Sequence, residues 1–207
     1  MRHTLSHLAL AAFAAVPLSG KAGDELLSRA SGVNPNLRTY SATLHAHVVL
    51  TSFPFISTDL TGTYYHKDPN KDRLEITNGL PGIAKQFSKL YPHFVSPQQW
   101  PSVFVVSRGG DDGTMTTYKL VPRKRGNIDH IDAAISDKDA TISSMVWHYY
   151  NGGTAVMRNT YSLINGNEVV TAQSGSVDEP SYKGNITSTL DGYKMNPPLS
   201  DAMFEQQ

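Results

Sequence analysis

Thr141-Ile142-Ser143-Ser144-Met145-Val146-Trp147-His148-Tyr149-Tyr150, closed by Asn151-Gly152-Gly153, is the stretch whose reading decides the fold. A run rich in β-branched and aromatic residues that ends in a glycine turn reads as a strand entering a hairpin. Alternation along it puts Met145, Trp147 and Tyr149 on one face and Ile142, Val146 and Tyr150 on the other. A strand with one wet face alternates cleanly between apolar and polar residues. This one does not. Ser102–Ser107 repeats the pattern, with Val103 and Val105 opposite Phe104 and Val106. Apolar residues on both faces predict that both are covered, by helices, by a second layer or by a ligand. A single strongly curved antiparallel sheet with helices lying in its hollow satisfies that requirement.

On either side of this strand the chain reads as a meander. Downstream come Thr154–Ile164, the tip Asn165-Gly166, Glu168–Gln173, a turn-like Ser174-Gly175-Ser176, and a last strand Tyr182–Asp191 before Pro197-Pro198 and Phe204. Upstream lie Ile128–Ile135 behind Gly126-Asn127, and Thr114–Val121 behind Asp111-Asp112-Gly113. Asn-Gly and Asp-Gly tips are hairpin signals, because glycine takes positive φ without steric cost. Earlier strands are expected at Ser41–Ser52, Thr58–His66 and Arg73–Thr77, the last two separated by Lys67-Asp68-Pro69-Asn70. Two helices are predicted. Asp24 caps a short one carrying Leu26, Leu27 and Ala30 and stopped by Gly32. The second, Pro81–Leu90, repeats Ile83, Phe87 and Leu90 at helical spacing before Pro92 stops it. A proline-rich loop from Pro92 to Pro101 then leads through Trp100 into the strands.

The chain has 207 residues and no cysteine. That length suits one domain able to bury roughly 70% of its unfolded surface without staples. Disulfides, thiolate nucleophiles, cysteine zinc sites and lipid-modified cysteines are excluded together. Residues 1–22 read as a signal peptide: Arg2, an apolar run from Leu8 to Leu18, and small residues around a cut after Ala22. The competing readings are a short membrane anchor or a buried helix. The run falls short of the about 20 apolar residues needed to span a bilayer. Residues 23–207 are then a single domain, periplasmic or secreted, not membrane-spanning once mature, and expected to be monomeric. The full chain carries 18 basic and 18 acidic side chains. Losing Arg2 and Lys21 with the leader tips it slightly acidic, which argues against nucleic acid as a partner. Arg123-Lys124-Arg125, between Pro122 and Gly126, reads as a solvated basic turn.

In order and texture the chain resembles the superfamily of the LolA and LolB periplasmic lipoprotein carriers, together with the mycobacterial lipid carriers and sigma-regulator sensor domains that share their fold. The resemblance rests on Leu37-Arg38-Thr39-Tyr40-Ser41-Ala42 opening a long strand. It continues in Gly62-Thr63-Tyr64-Tyr65-His66-Lys67-Asp68-Pro69-Asn70-Lys71-Asp72-Arg73-Leu74, a glycine, aromatic strand, proline turn and third strand. Tyr193-Lys194-Met195-Asn196-Pro197-Pro198 is similar to the proline-rich close. It implies a mainly β (α+β) fold, a curved antiparallel sheet forming an incomplete barrel around two or three short helices, with an apolar hollow for acyl chains. The carriers place a lid-controlling arginine directly before the turn proline. Here that position is Asp68, so the arginine-controlled lid is not carried over.

A carrier must hide each methylene of its cargo, worth about 0.8 kcal/mol when buried, behind a concave apolar wall and a movable cover. The expected cover is the Pro81–Leu90 helix and its loop, offering Ile83, Phe87, Leu90 and Phe94; Phe53 and Phe55 at the mouth, with Trp100 and Trp147, complete the apolar site. Ordinary core packing is the competing reading for each residue singly.

Catalytic signals are sparse. No Gly-x-Ser-x-Gly elbow, phosphate loop or dinucleotide fingerprint is present, and the Asp111-Asp112 and Asp137/Asp139 pairs do not extend into a calcium loop. His45 and His47 share a strand face at a metal-compatible spacing, with His66, His93 or His148 as the partners space might bring. Polar strand positions are the plainer reading, and no metal or cofactor is assigned. His130 and Asp132 also share a face, as a solvated edge or an acid–base pair. The sequence therefore reads as an extracytoplasmic, non-enzymatic carrier of a lipid, a lipoprotein acyl group or another lipophile. The alternative is a protein- or peptide-binding envelope sensor module on the same fold, with envelope proteins as partners. A hydrolase using His130 and Asp132 is third.

Overall fold

Strand order along the sheet explains why no barrel closes. The computed structural model describes residues 24–52, 55–79 and 95–205. In chain order these form α1 (Glu25–Ser31), β1 (Thr39–Leu50), β2 (Ile56–Lys67) and β3 (Lys71–Asn78). A 3₁₀ turn at Pro97–Gln99 runs into α2 (Trp100–Val103), which leads to β4 (Phe104–Asp111), β5 (Met115–Pro122), β6 (Ile128–Ser136) and β7 (Ile142–Tyr149). The chain continues with β8 (Thr154–Ile164), β9 (Asn167–Glu179), β10 (Tyr182–Met195) and a 3₁₀ turn at Asp201–Phe204. The ten strands form one curved antiparallel sheet in the order β3-β2-β1-β10-β9-β8-β7-β6-β5-β4. Two runs of hairpins are thus joined where β10 pairs with β1, and β3 and β4 remain as edges. Among the described residues no helix is long and apolar enough to cross a membrane.

Register turns the alternation of each strand into one apolar surface. Leu120, Ile131, Trp147, Ala155 and Val177 stand opposite one another in a row across β5 to β9. Tyr118, Ala133, Met145 and Met157 make the next row, and every member of both rows is buried. The same face continues through β10, β1 and β2, where Ala46, Val48 and Leu60 form a second, smaller cluster with Ile186. Burying a Leu- or Ile-sized side chain stabilises by about 1.5–3 kcal/mol, so this face outweighs any local preference in setting the register.

α1 is fastened onto the larger half of that face. Its N-cap carboxylate, Asp24, accepts the Leu27 N–H at 3.1 Å and the Tyr118 hydroxyl at 2.8 Å. At the other end Arg29 donates to the carbonyls of Asp137 and Lys138 at 3.0 and 2.7 Å. Leu26 and Ala30 enter the core with Trp100, Phe104 and the sheet residues.

The structure corrects two local expectations. Ser174-Gly175-Ser176 is not a turn but the middle of β9, with Gly175 between Met157 and Ile186. Turn-like composition yields there to a ladder satisfied by strands on both sides. Trp100 lies not in a loop but in α2, behind a 3₁₀ turn with Pro97 at its start. The leader, 1–22, and the Pro81–Leu90 helix lie outside the described residues.

Charged contacts strap the C-terminal turn beside edge strand β3. Asp201 accepts from Lys67 at 2.9 Å and Lys71 at 2.7 Å, Lys67 also reaches the Leu199 carbonyl, and Arg73 donates to the Met203 carbonyl. Covering an edge in this way removes a template for unwanted strand pairing. The hydrogen bonds and charges of Lys71 and Lys67 hold the Asp201 carboxyl down at about 2, below the 3.8 of a free aspartate. Because the docked-state pKa is depressed, the strap is at full strength above 3.8 and is lost as pH falls through about 2. In an NMR titration the Ala202–Phe204 amides should shift with a midpoint near 2. In the Lys71→Ala variant that midpoint should rise toward the free value. Equal midpoints in the two proteins would mean that the strap does not form.

Candidate functional site

Among the described residues the larger half of the concave face is not completely filled. A cavity of about 220 Å³ lies between the returning segment 95–104 and the ends of β5 to β7. Val95, Val103, Phe104, Ile128, Ile131, Met145 and Trp147 provide its apolar wall, and Pro122, Lys124, Gly126 and Asn127 its turn side. Among the described residues no carboxylate lines it.

Local hydrogen bonds hold this architecture in place. The Trp100 indole N–H donates to the Val95 carbonyl at 2.8 Å, pinning the returning segment over the sheet. Arg123 ties that segment to the β5–β6 turn: its backbone N–H donates to the Val103 carbonyl at 2.9 Å and its side chain to the Pro101 carbonyl at 3.1 Å. The basic turn Arg123-Lys124-Arg125 therefore lies beside the cavity. All three residues are exposed, and Lys124 is part of the lining.

The opposite part of the hollow is polar and aromatic. Tyr40 stacks on His66 with ring centroids 5.0 Å apart, and Asp72 accepts from Tyr64 at 2.5 Å and contacts His66 Nδ1 at 2.7 Å. Burial alone would lower the His66 pKa; the hydrogen bond and charge of Asp72, then of Asp68, outweigh it and hold the imidazole above its ordinary value. Burial first, then neighbouring Tyr193 and Asp72, pushes the Tyr40 hydroxyl far up. This cluster stays un-ionised at its phenols. Arg73 does not face it, being committed to Glu75 at 2.7 Å and to the tail.

Among the residues the sequence nominated, Trp147 lines the cavity. Trp100 is fully buried in the core beside Tyr118, with ring centroids 6.2 Å apart, and is not part of the lining. Phe55, just before β2, is 78% exposed. Phe53, Ile83, Phe87, Leu90 and Phe94 lie outside the described residues. Sequence reasoning missed Val95, Ile128, Ile131 and Met145 as lining residues. Met145 was recoverable, since alternation puts it on the Trp147 face; Ile128 and Ile131 needed the pairing of β6 with β7, and Val95 the return of segment 95–104 over the sheet. The His45–His47 face proves divided, His47 contacting Asp59 at 2.7 Å on β2 and His45 lying 3.9 Å from Asp191 on β10.

No protein-family model matches this sequence, and no curated protein matches it. Solved structures do. An outer membrane lipoprotein-sorting protein domain from Vibrio parahaemolyticus superposes with a TM-score of 0.60 at 8% identity, over 88% of this chain and 95% of that one. A DUF1329 family protein from Desulfovibrio piger gives 0.58 at 10% identity, with the same coverage of 88% and 95%. A LolA superfamily protein from Nitrosomonas europaea gives 0.53 at 8% identity, over 87% and 96%. At such identities the likeness speaks for the fold alone, and the fold of this chain is LolA-like.

Proposed function

We propose that this protein is an extracytoplasmic, non-catalytic carrier that shields the acyl chain of an anionic amphiphile. The observation that carries the reading is an apolar cavity on the concave face whose turn side includes the cation Lys124, flanked in sequence by exposed Arg123 and Arg125. Apolar walls hide methylenes, and a basic rim suits a carboxylate or phosphate head that stays in water. The fold it shares with a lipoprotein-sorting domain agrees with such a role.

The cavity of about 220 Å³ is small for a whole lipid. Sites for drug-sized ligands run to roughly 300–1,000 Å³, so the tail must extend along the hollow as a cover moves. The second apolar cluster around Val48 and Leu60 continues in that direction on the same face. Ile83, Phe87, Leu90 and Phe94 are assigned to the cover and Phe53 and Phe55 to the mouth. Residues 1–22 are assigned to export, leaving 23–207 as the carrier domain.

Native mass spectrometry of protein purified from its own envelope without detergent, followed by organic extraction, should reveal a bound species of lipid mass. In vitro, a fluorescent long-chain fatty acid should bind, and its uncharged alcohol analogue should bind less tightly. Val103 is 40% exposed at the cavity wall, so Val103→Asp should leave the fold intact and weaken fatty-acid binding at least about 10-fold, the effect of a 1.4 kcal/mol penalty. Phe87→Asp should abolish transfer to acceptor vesicles. A ligand-free protein that ignores the fatty acid would sink the carrier reading and favour the protein-binding module.

A further inference from the structure

The outer face of the same strands carries a second, unrelated constellation. His130 on β6 stands directly opposite His148 on β7, and their imidazoles stack with centroids 4.2 Å apart and planes 11° from parallel. Asp132, two residues along β6 on the same face, brings Oδ2 to 3.1 Å from His148 Nε2 and 3.6 Å from His130 Nε2. The three ligand atoms lie within 4.8 Å of one another. A tetrahedral zinc with bonds of about 2.0–2.1 Å separates its ligand atoms by about 3.3 Å, so the two contacts bracket the required edge.

A fourth residue sets the chemistry of the first imidazole. The register of β6 against β7 slips between Ile128 and His130, which makes Asp129 the extra residue of a bulge. Bulges re-aim side chains, and here Ile128 joins the cavity wall while Asp129 Oδ2 lies 2.7 Å from His130 Nδ1. With Nδ1–H donating to Asp129, the neutral ring presents the Nε2 lone pair in its own plane on the side of Asp132, and a shared ion requires the stacked His148 ring to tilt out of parallel toward it. A carboxylate fixing the far nitrogen of a ligating histidine is the usual outer support of a metal site. Lys119 is the cross-strand neighbour of Asp132 on β5 and forms no ion pair with it among the described contacts, which leaves that carboxylate to the imidazoles.

We propose that His130 Nε2, His148 Nε2 and Asp132 Oδ2 bind one Zn²⁺ on the convex face, with Asp129 orienting His130. Two imidazoles and one carboxylate suit a borderline divalent ion, and magnesium or calcium, which want oxygen ligands, are disfavoured. Three protein ligands leave a fourth position for water or for a donor from another molecule. The ion would cross-link β6 and β7 behind Ile131 and Trp147, two walls of the cavity.

The test is calorimetric titration of the chelator-treated, dialysed full-length protein with Zn²⁺, with Mg²⁺ as control. One equivalent of Zn²⁺ per chain is expected, with no Mg²⁺ uptake. His130→Gln and His148→Gln should each abolish the zinc heat with an unchanged circular dichroism spectrum. Asp129→Asn, which touches only the far nitrogen, should weaken binding roughly 10–100-fold. Imidazole ¹⁵N spectra of the parent should show the two Nε2 resonances moving on zinc addition. Uptake that persists in the His130→Gln/His148→Gln double variant, or no uptake at millimolar Zn²⁺, overturns the assignment. Should either single variant misfold, Asp132→Asn with the parent ¹⁵N spectra decides the question by the same criteria. Lipid binding plays no part in these readouts, so the zinc site stands or falls apart from the carrier reading.

Discussion

Trp100→Ala should cost about 3–5 kcal/mol of folding stability, the range for removing a buried aromatic side chain. Trp100 is fully buried against Tyr118, and its indole N–H satisfies the Val95 carbonyl. Removing it opens a void in the main core and unpins the segment that forms one wall of the cavity. At about 2–4 °C per kcal/mol for a chain of this size, the melting temperature should fall by roughly 6–20 °C. Trp100→Phe keeps most of the volume and loses one hydrogen bond, worth about 1 kcal/mol, so it should lie much closer to the parent. Thermal denaturation followed by circular dichroism checks both. An unchanged melting temperature in Trp100→Ala would mean that segment 95–104 contributes nothing to the core, and the cavity would lose its wall.

Asp24→Ala should cost about 2–4 kcal/mol, more than an ordinary cap. Loss of an N-cap side chain costs about 0.5–2 kcal/mol, and stranding a buried hydroxyl costs about 1–3 kcal/mol more. Both apply, because one oxygen, Asp24 Oδ1, accepts from Leu27 N–H and from the hydroxyl of Tyr118, a residue only 1% exposed. Asp24→Asn keeps an acceptor for both donors and loses only the 3.5 Å contact with half-exposed Arg108, a surface pair worth at most about 1 kcal/mol. Urea denaturation should therefore rank Asn close to the parent and Ala far below. In the cycle with Tyr118→Phe the double variant should be less destabilised than the sum of the singles, since no hydroxyl is left to strand. Strict additivity would show that the cap and the sheet contact are separate.

Period-2 alternation with glycine turns was enough to read ten strands and most of their centres, strands apolar on both faces pointed to a curved sheet, and the family resemblance implied that it stays open. Asp24 was legible as a cap for the same local reason. Ends of elements were less legible: β9 runs through Ser174-Gly175-Ser176 because strands on both sides complete its ladder.

What lies between elements was decided only in three dimensions. Arg123-Lys124-Arg125 looks like any solvated turn until Arg123 is seen bonded to Pro101 and Val103, which sets the turn beside an apolar cavity that Lys124 lines. His130 and His148 are eighteen positions apart in sequence, and nothing local says that they stack; the β6–β7 register does. Trp100 and Trp147 read alike as large apolar residues and both are buried in the core, yet Trp147 also lines the cavity and Trp100 does not. Sequence by itself determined the faces of the strands and the cap, since these follow from backbone geometry acting over a few residues, while the incomplete barrel was implied by the family resemblance. Which faces meet, where a gap remains and which polar groups converge was settled by tertiary structure, because each depends on strand register and on chain segments far apart in sequence.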